Sequence, residues 1–385
     1  MIHPVGLGLK NHSTPRIFIA ATRQNDGKTT TSMGLFGALK KRFEKVGYMK
    51  PIGQRFVDVE GIKIDEDTVL VNHTYRPNLP LEAMSPVAID AGFTRHYLSK
   101  GDPAEIATKV TAGFNRAAWE QDFVVIEGSG HAGVGSVFKL SNAQVASLLN
   151  CKVILVSRGG VGGPIDEISL NLALFEKYGV EVIGVILNKV QKRKIESLYP
   201  FAEAGLKNLG LPLLGVIPYA RELKMPTVGQ ICRELDGSWL AGQQSNRKLV
   251  NRIRIGTASS KTVEQLFDKE CLLVTSGDRE DLILSVLGAD LERFEKPIAG
   301  MVLTDGLKPP QALLQLIQRK NIPFISVNMD SYEVVSKIHD MTVKTEPGDQ
   351  TKIDIIQNLY EDAIDIDKII DAAKPPLQTT ELNFD

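Results

Sequence analysis

The chain has few cysteines, and this scarcity excludes several kinds of site. Cys151, Cys232 and Cys271 are the only cysteines in 385 residues, and no two of them form a CxxC pair. A disulfide framework or a cysteine-based zinc site is therefore not expected. The six histidines also lack metal-ligand spacing. This cysteine usage fits the reducing cytoplasm, where we expect the protein to act.

The sequence also lacks an excess of charge of either sign, and it lacks a long apolar run. Lys and Arg number 45 and Asp and Glu 46, for a formal net charge of −1. No bulk attraction to nucleic acid or to an anionic membrane follows from that balance. No apolar run reaches the ~18 residues that a membrane-spanning helix needs, and no basic-then-apolar signal segment opens the chain. We expect neither nucleic acid nor a membrane as a partner.

Short apolar runs that alternate with helical patterns predict an α/β fold. The clearest runs are 17–21, 123–126, 153–156 and 182–187, with helical patterns at 104–119, 142–149 and 166–178. Each run is nearly continuous in apolar residues, as strands buried on both faces are. The alternation indicates a parallel sheet with helices on both faces. Ligands of such sheets bind at the carboxyl ends of the strands.

A change of composition near residue 235 predicts a division of the chain. Residues 240–249 (LAGQQSNRKL) are polar, and we interpret them as a linker or surface connection. Alternation of apolar runs and helical patterns restarts after them. We predict a first domain over 1–238, a second, smaller α/β domain over 246–345, and a C-terminal helix and tail over 346–385. The helix is expected from about residue 351 to about residue 372.

The segment TRQNDGKTT at 22–30 lies between an apolar run and a helical pattern, with Gly-Lys-Thr at the helix start. Strand, tight loop and helix in that order are the context of a phosphate-binding loop. Backbone N–H groups and the helix N-terminus face an anion there. Thr22 stands where the usual pattern has Gly. A chance Gly-Lys-Thr in a turn is the alternative.

This phosphate loop (residues 22–30) supplies the predicted ATP site. We assign Asn25, Gly27, Lys28, Thr29 and Thr30 to nucleotide binding. Lys28 can reach the β- and γ-phosphates, and the Thr29 hydroxyl can hold Mg²⁺. ATP and Mg²⁺ are therefore the predicted cofactors.

Two carboxylates elsewhere fit the same site. Glu127 ends the apolar run at 123–126, and Asp67 lies in the acidic run Asp65-Glu66-Asp67. Mg²⁺ prefers oxygen ligands and takes one or two carboxylates besides phosphate oxygens. We predict that Asp67 and Glu127 join Thr29 as metal ligands. The alternatives are a capping or turn role for Glu127 and a solvated surface for the acidic run.

Two further polar residues follow apolar runs. Lys50 in MKPIG can stabilise charge on a transferred phosphoryl group, and we assign it with Lys28 to catalysis. Asn188 in VILNKV can bind a purine edge through its amide. A surface lysine beside a turn and a helix-capping asparagine are the respective alternatives.

Several stretches taken together resemble the dethiobiotin synthetase family, a branch of P-loop proteins that includes cobyrinic acid a,c-diamide synthase-type enzymes. They are GKTT at 27–30, MKPIG at 49–53, DEDTVL at 65–70, VVIEGSG at 124–130, VILNKV at 185–190 and LLGVIP at 213–218. The resemblance covers residues 15–230. It implies that Lys28 and Thr29 bind phosphate and Mg²⁺ and that Asp67 and Glu127 complete the metal shell. It also places Lys50 near the transferred phosphate and Asn188 near the base.

The second half resembles a DRTGG domain through VTSGDRED at 274–281 and VLTDGLKP at 302–309. Such domains follow a dethiobiotin-synthetase-like domain in the N-terminal part of long phosphotransacetylases, where the resemblance implies a regulatory role. Asp305 departs from the family, which commonly has Gly there. No acetyltransferase segment follows, so we expect no complete phosphotransacetylase activity. Arg279 either binds a small anionic effector or forms a salt bridge with a neighbouring aspartate.

Two functions remain open from the sequence. The first is an ATP-dependent ligase or synthetase that phosphorylates a carboxylate or carbamate, with Mg²⁺ bridging the β- and γ-phosphates. The second is a nucleotide-binding regulatory module with an effector-binding DRTGG domain and no catalysis of its own. Either would bind ATP and an unidentified small-molecule substrate or effector. The resemblance also leads us to expect a homo-oligomer.

Overall fold

The computed structural model of the protein describes residues 11–265, 270–288 and 298–374. The chain divides into two compact units. The first unit joins residues 1–219 to residues 346–385, and the second comprises residues 220–345. The second unit is therefore inserted, in sequence, into the first.

The elements of the first unit alternate as the apolar runs predict. Its strands are β1 (Arg16–Ala21), β2 (Val46–Met49), β3 (Ile52–Gly53), β4 (Phe56–Val59), β5 (Ile62–Asp65), β6 (Val87–Ala88), β7 (Phe123–Glu127), β8 (Lys152–Arg158), β9 (Val182–Val190) and β10 (Leu213–Pro218). Its helices are α1 (Lys28–Lys40), α2 (Glu66–Tyr75), α3 (Leu81–Met84), α4 (Phe93–Lys100), α5 (Pro103–Ala117), α6 (Asn142–Leu148), α7 (Gly163–Lys177) and α8 (Ile195–Asn208), and, after the second unit, α14 (Gln350–Glu361) and α15 (Ile366–Ala372). Short 3-10 turns cover Ser136–Phe138 and Lys192–Lys194.

The main sheet of the first unit has the strand order β10-β9-β8-β1-β7-β2. Its neighbouring strands all pair in parallel. Every residue of β1 and β7 is buried, because helices cover both faces of the sheet. The prediction of an α/β fold with a parallel sheet is confirmed.

This strand order brings three chain segments to one edge of the sheet. Strand β7 lies between β1 and β2, and all three run in the same direction. The phosphate loop follows β1, Glu127 ends β7, and Lys50 follows β2 directly. The carboxyl ends of adjacent parallel strands meet at the same edge, so these segments become neighbours.

The C-terminal helices pack on the first unit. Tyr360 of α14 is 1% exposed and lies against Gly34 of α1. Its hydroxyl is 2.8 Å from the Thr31 hydroxyl. The predicted single helix from about residue 351 to about residue 372 is wrong: α14 ends at Glu361 and α15 begins at Ile366. Asp365 separates the two helices because its carboxylate accepts the Lys368 N–H at 3.1 Å and so caps α15.

The second unit is a smaller α/β structure. Its strands are β11 (Ser238–Ala241), β12 (Arg252–Ile255), β13 (Cys271–Ser276), β14 (Gly300–Thr304) and β15 (Phe324–Ser326). Its helices are α9 (Val228–Glu234), α10 (Ser260–Gln265), α11 (Glu280–Gly288), α12 (Gln311–Gln318) and α13 (Ser331–Asp340), with 3-10 turns at Glu222–Lys224 and Gln243–Ser245. The sheet order is β11-β15-β14-β13-β12. The prediction of a second α/β domain is confirmed.

The polar segment 240–249 begins inside that second sheet. Strand β11 pairs antiparallel with β15, and it includes Leu240 and Ala241. Trp239 and Leu240 pack against the buried core of the second unit, which anchors the strand. The interpretation of this segment as a linker is therefore wrong at its start, because the apolar Trp-Leu pair outweighs the polar residues that follow.

Within the described ranges, no helix is both long and apolar enough to cross a membrane. The three cysteines are free thiols and are buried.

Candidate nucleotide site

The phosphate loop turns sharply before α1. Gly27 precedes the helix with φ at +105°, and Asn25 has φ at +65°. A Cβ atom at Gly27 would overlap the Asn188 amide and lie 2.9 Å from the Thr30 hydroxyl. The Thr30 hydroxyl donates to the Gly27 carbonyl at 2.8 Å. Glycine is required here for both its backbone conformation and its missing side chain.

Asp26 fixes the conformation of the loop from within. This residue is fully buried. Its Oδ2 accepts the Thr22 hydroxyl and the Arg23 N–H, both at 2.9 Å. Its Oδ1 accepts the Arg158 Nε–H at 2.8 Å. Thr22, which replaces the usual Gly, thus stabilises the loop through its hydroxyl. Sequence analysis missed the role of Asp26, although its place inside the motif was a usable signal.

Lys28 begins α1 and is 9% exposed. Burial lowers the pKa of its ammonium, and the carboxylate of Glu127 acts in the opposite direction. Lys50 nearby lowers the pKa of Lys28 further. Lys28 therefore lies in a buried region of mixed charge, where an anionic ligand would favour its protonated form.

Glu127 contacts two hydroxyl groups. Its Oε1 accepts the Thr29 hydroxyl at 2.8 Å, and its Oε2 accepts the Tyr48 hydroxyl at 2.9 Å. Tyr48 lies on β2 and is fully buried. Burial and the neighbouring Glu127 carboxylate raise the pKa of Tyr48, so its hydroxyl stays protonated and donates. The sequence does not reveal this role of Tyr48, because nothing in an apolar strand marks which side chain faces the site.

Lys50 lies among three carboxylates, which we call the carboxylate cluster (Asp65, Asp67 and Glu127). Its Nζ forms a direct ion pair with Asp67 and lies 3.1 Å from Asp65 Oδ1 and 3.7 Å from Glu127 Oε1. Burial alone would lower the pKa of Lys50, but the three carboxylates outweigh burial and raise it above its usual range. The carboxylates therefore favour the protonated, cationic form of Lys50 at the centre of the cluster.

Asp65 positions Asp67 for this contact. Its carboxylate accepts the Asp67 N–H at 2.9 Å and caps α2. Burial raises the pKa of Asp65 to about 6, against the opposing attraction of Lys50. The interpretation of the acidic run as a solvated surface is wrong for Asp65 and Asp67, which are 1% and 6% exposed.

The oxygen atoms at this edge fit Mg²⁺ if a nucleotide supplies further ligands. Among the described residues, no three His, Cys, Asp or Glu side chains are arranged to hold a metal ion by themselves. Mg²⁺ does not need such a cage, because it binds one or two carboxylates together with waters and phosphate oxygens. The adjacent Thr29 hydroxyl and Glu127 carboxylate offer that partial set.

Asn188 contacts the loop backbone. Its Nδ2 donates to the Asp26 carbonyl at 3.0 Å, and its Oδ1 accepts the Lys189 N–H at 2.8 Å. The Lys189 ammonium donates to the Asn25 carbonyl. Asn188 is 4% exposed. It therefore connects the end of β9 to the phosphate loop, and its contact with a nucleotide base stays a prediction.

Comparison with protein families decides the class of the chain. Residues 15–227 match the family described as AAA domain (AAA_26), which is more than half of the chain. The chain belongs to the AAA_26 family. Residues 230–341 match the DRTGG domain. The predicted combination of a P-loop domain and a DRTGG domain is confirmed.

The AAA_26 and DRTGG domains together are similar to part of phosphate acetyltransferases. The enzyme of Nitratidesulfovibrio vulgaris is 26% identical over 360 residues, which are 91% of this chain and 50% of the relative. The enzyme of Pseudomonas putida is 29% identical over 363 residues, 90% of this chain and 50% of the relative. The chain thus spans about half the length of the curated relatives it matches.

Solved structures resemble the AAA_26 domain only distantly. Cobyrinic acid a,c-diamide synthase from Mycobacterium smegmatis, with bound ATP analog and magnesium, shares 15% identity at a TM-score of 0.37 and covers 53% of this chain and 84% of that one. The septum site-determining protein MinD from Pyrococcus horikoshii, complexed with Mg-ADP, shares 20% identity at a TM-score of 0.37, with 55% of this chain and 83% of that one covered.

In the DRTGG domain, Arg279 forms a salt bridge. Its Nε and Nη2 donate to the two Asp281 oxygens at 2.8 and 2.9 Å. Its Nη1 and Nη2 also donate to the Gly256 and Ala258 carbonyls at 2.9 and 3.0 Å. The guanidinium is thus held by local partners, which agrees with the salt-bridge alternative.

Proposed function

We propose that the AAA_26 domain binds a nucleoside triphosphate with Mg²⁺ and transfers its terminal phosphate. One observation carries this proposal. Lys28, Thr29, Lys50, Asp67 and Glu127 come from four separate segments and converge at the carboxyl edge of the sheet, beside the phosphate loop. Two lysines, one hydroxyl and two carboxylates are the groups that phosphoryl transfer uses.

Each residue has a distinct role in this proposal. Backbone N–H groups at the start of α1 face the phosphates, and Lys28 balances their charge. Thr29, Asp67 and Glu127 hold Mg²⁺. When it is bound, Mg²⁺ neutralises charge on the β- and γ-phosphate oxygens. Lys50 stabilises charge that develops on the transferred group. Asp26, Thr22 and Asn188 keep the loop in shape.

A ligase or synthetase that phosphorylates a carboxylate or carbamate is the activity we favour. The support is the presence of both lysines and both carboxylates at one buried place. The substrate is a small molecule that contributes the acceptor carboxylate or carbamate.

The second candidate is a regulatory module, and a specific observation favours it. The matched segment contains the AAA_26 and DRTGG domains together, and it corresponds to about half of each phosphate acetyltransferase named above. In this role nucleotide binding would change the DRTGG domain, and no turnover would follow. Fold and family alone do not decide between the two roles.

Calorimetry with Mg²⁺ and a non-hydrolysable ATP analogue tests nucleotide binding. Lys28→Ala removes the charge that faces the phosphates, and we expect affinity to fall about 10–100-fold. Lys207→Ala is the matched control, since this exposed lysine lies on α8. Equal affinity in the Lys28→Ala variant and the control would exclude the phosphate-loop assignment.

Turnover measurements separate the two roles. Phosphate release is followed with ATP alone and with amino-carboxylates plus bicarbonate. Release that rises with one acceptor supports the synthetase role. Tight nucleotide binding without turnover, together with altered hydrogen exchange in residues 220–345, supports the regulatory role.

A further inference from the structure

Lys50 occupies the space between the three members of the carboxylate cluster. Its backbone N–H donates to the Met84 carbonyl at 2.7 Å, which fixes the start of the side chain. Its side chain is 9% exposed, and its ammonium contacts all three members of the carboxylate cluster. Without nucleotide, the Lys50 ammonium therefore compensates part of the negative charge of three buried carboxylates.

Two of the three carboxylates that hold Lys50, Asp67 and Glu127, are also proposed metal ligands, so this inference rests on the proposed function. Glu127 Oε1 accepts the Thr29 hydroxyl at 2.8 Å and lies 3.7 Å from the Lys50 Nζ. Asp67 is the direct ion-pair partner of the same Nζ. An ammonium and Mg²⁺ cannot both approach these oxygens, because like charges at such distances repel strongly in a buried site.

The negative charge of a terminal phosphate would attract the Lys50 ammonium out of the carboxylate cluster. Lys28 immediately precedes Thr29, whose hydroxyl donates at 2.8 Å to Glu127 Oε1. The same oxygen lies 3.7 Å from the Lys50 Nζ, so the two lysines lie close to one another beside the loop. A lysine side chain has a flexible four-carbon stem and can move its charge without a change of the backbone. The γ-phosphate of a triphosphate brings negative charge into the space beside the loop. A diphosphate has no γ-phosphate and leaves that space without this charge.

We propose that Lys50 determines specificity by coupling metal binding to the terminal phosphate. Lys50 holds Asp67 and Glu127 while the γ-phosphate position is empty, and it thereby excludes Mg²⁺. A nucleoside triphosphate attracts the ammonium to its terminal phosphate, and the two carboxylates become available to the metal. A nucleoside diphosphate leaves Lys50 in the cluster, so Mg²⁺ adds little to its affinity.

The first arm of the test uses Mn²⁺ with saturating ADP, which supplies phosphate oxygens as further ligands and leaves the γ-phosphate position empty. Mn²⁺ binding, followed by electron paramagnetic resonance, is compared in the wild type and in Lys50→Met, which keeps the length of the side chain and removes its charge. We expect the wild type to bind Mn²⁺ at the site at least about tenfold more weakly than the variant. Lys50→Arg, which keeps the charge, should exclude the metal as the wild type does. Equal Mn²⁺ affinity in wild type and Lys50→Met overturns the proposal.

The second arm uses the wild type, so it holds even where a variant fails to fold. Calorimetry compares ADP with a non-hydrolysable ATP analogue, each with and without Mg²⁺. We expect Mg²⁺ to strengthen binding of the triphosphate about tenfold or more and to change ADP binding much less. An equal gain for both nucleotides overturns the coupling and leaves the proposed nucleotide site intact. Absence of binding by either nucleotide instead overturns the proposed function, which keeps the two failures distinct.

Discussion

One oxygen of Glu127 accepts the Thr29 hydroxyl and the other accepts the Tyr48 hydroxyl. A substitution that keeps the shape of the side chain can therefore test its charge separately. Glu127→Gln keeps the size of the side chain and removes the charge that Mg²⁺ prefers. We expect Mg²⁺-dependent affinity for an ATP analogue to fall about tenfold or more. The melting temperature without ligand should stay close to that of the wild type.

Calorimetry and thermal unfolding of the same samples check this prediction. Glu105→Gln is the control, because the Glu105 side chain is 66% exposed on α5. A collapse of the melting temperature in Glu127→Gln would show that the residue is structural and would remove it from the proposed metal shell.

Asp65 predicts a pH dependence of stability. Burial raises its pKa in the folded protein to about 6, from a usual value of 3.8. The folded state thus binds the proton more tightly than the unfolded state. The contribution of Asp65 to the free energy of unfolding is therefore fully present below the unfolded pKa, and it is lost as the pH rises through the folded pKa.

Asp65→Asn removes this titration and keeps a side-chain oxygen to cap α2. Between about pH 4 and pH 6, the variant should gain stability relative to the wild type by at most about 1.4 kcal/mol per pH unit. Urea unfolding at several pH values measures the difference, with the exposed Asp371→Asn as control. Parallel curves for wild type and Asp65→Asn would contradict the prediction.

The sequence was informative about some of these residues and silent about others. Lys28, Thr29 and Glu127 could be grouped because each lies at the end of an apolar run, and parallel strands bring such ends together. Tyr48 and Asp65 could not be placed, because their contacts depend on side-chain directions across neighbouring elements. The structure brings the predicted residues together, and their ligand roles stay predictions.

At the scale of elements, the contact of α14 with α1 is the most testable. A Cβ atom at Gly34 would overlap the Tyr360 ring. Gly34→Ala gains about 1 kcal/mol from helix propensity but forces apart a packed interface, which typically costs about 1–3 kcal/mol. We expect a net loss of stability. We also expect weaker nucleotide binding, because Tyr360 contacts Thr31, which lies two residues after Thr29 on the same helix.

Gly37→Ala is the matched control within α1, because a Cβ there would lie 3.2 Å from the Tyr75 hydroxyl, a much milder contact than the overlap at Gly34. Chemical unfolding should show Gly37→Ala near the wild type and Gly34→Ala below it. A Gly34→Ala variant as stable as the control would mean that α14 adjusts without cost.

Elements buried on both faces could be predicted, whereas short or exposed elements could not. The runs at 123–126 and 153–156 form β7 and β8. A short, continuous apolar run is typical of a strand that is buried on both faces of a parallel sheet. Strands β3 and β6 have two residues each and leave no periodic signal. The break between α14 and α15 depends on one capping aspartate inside an otherwise helical pattern.

At the scale of the whole molecule, composition showed two α/β parts but did not show the path of the chain. The first unit takes up residues 346–385 after the second unit is complete. The apolar stripe of an amphipathic helix indicates that the helix packs against another element, but it does not identify that element. The return of α14 to α1 could therefore be learned only from the structure.

That return has a consequence for synthesis on the ribosome. The face of α1 at Gly34 stays uncovered until α14 has been translated, and translation proceeds at about 5–20 residues per second. The nascent first unit therefore waits several seconds, with α1 exposed, while the whole inserted unit emerges and can fold. The segment that covers α1 is made only after residues 220–345, so the helix that begins with Lys28 reaches its final packing only after the inserted unit has been synthesised.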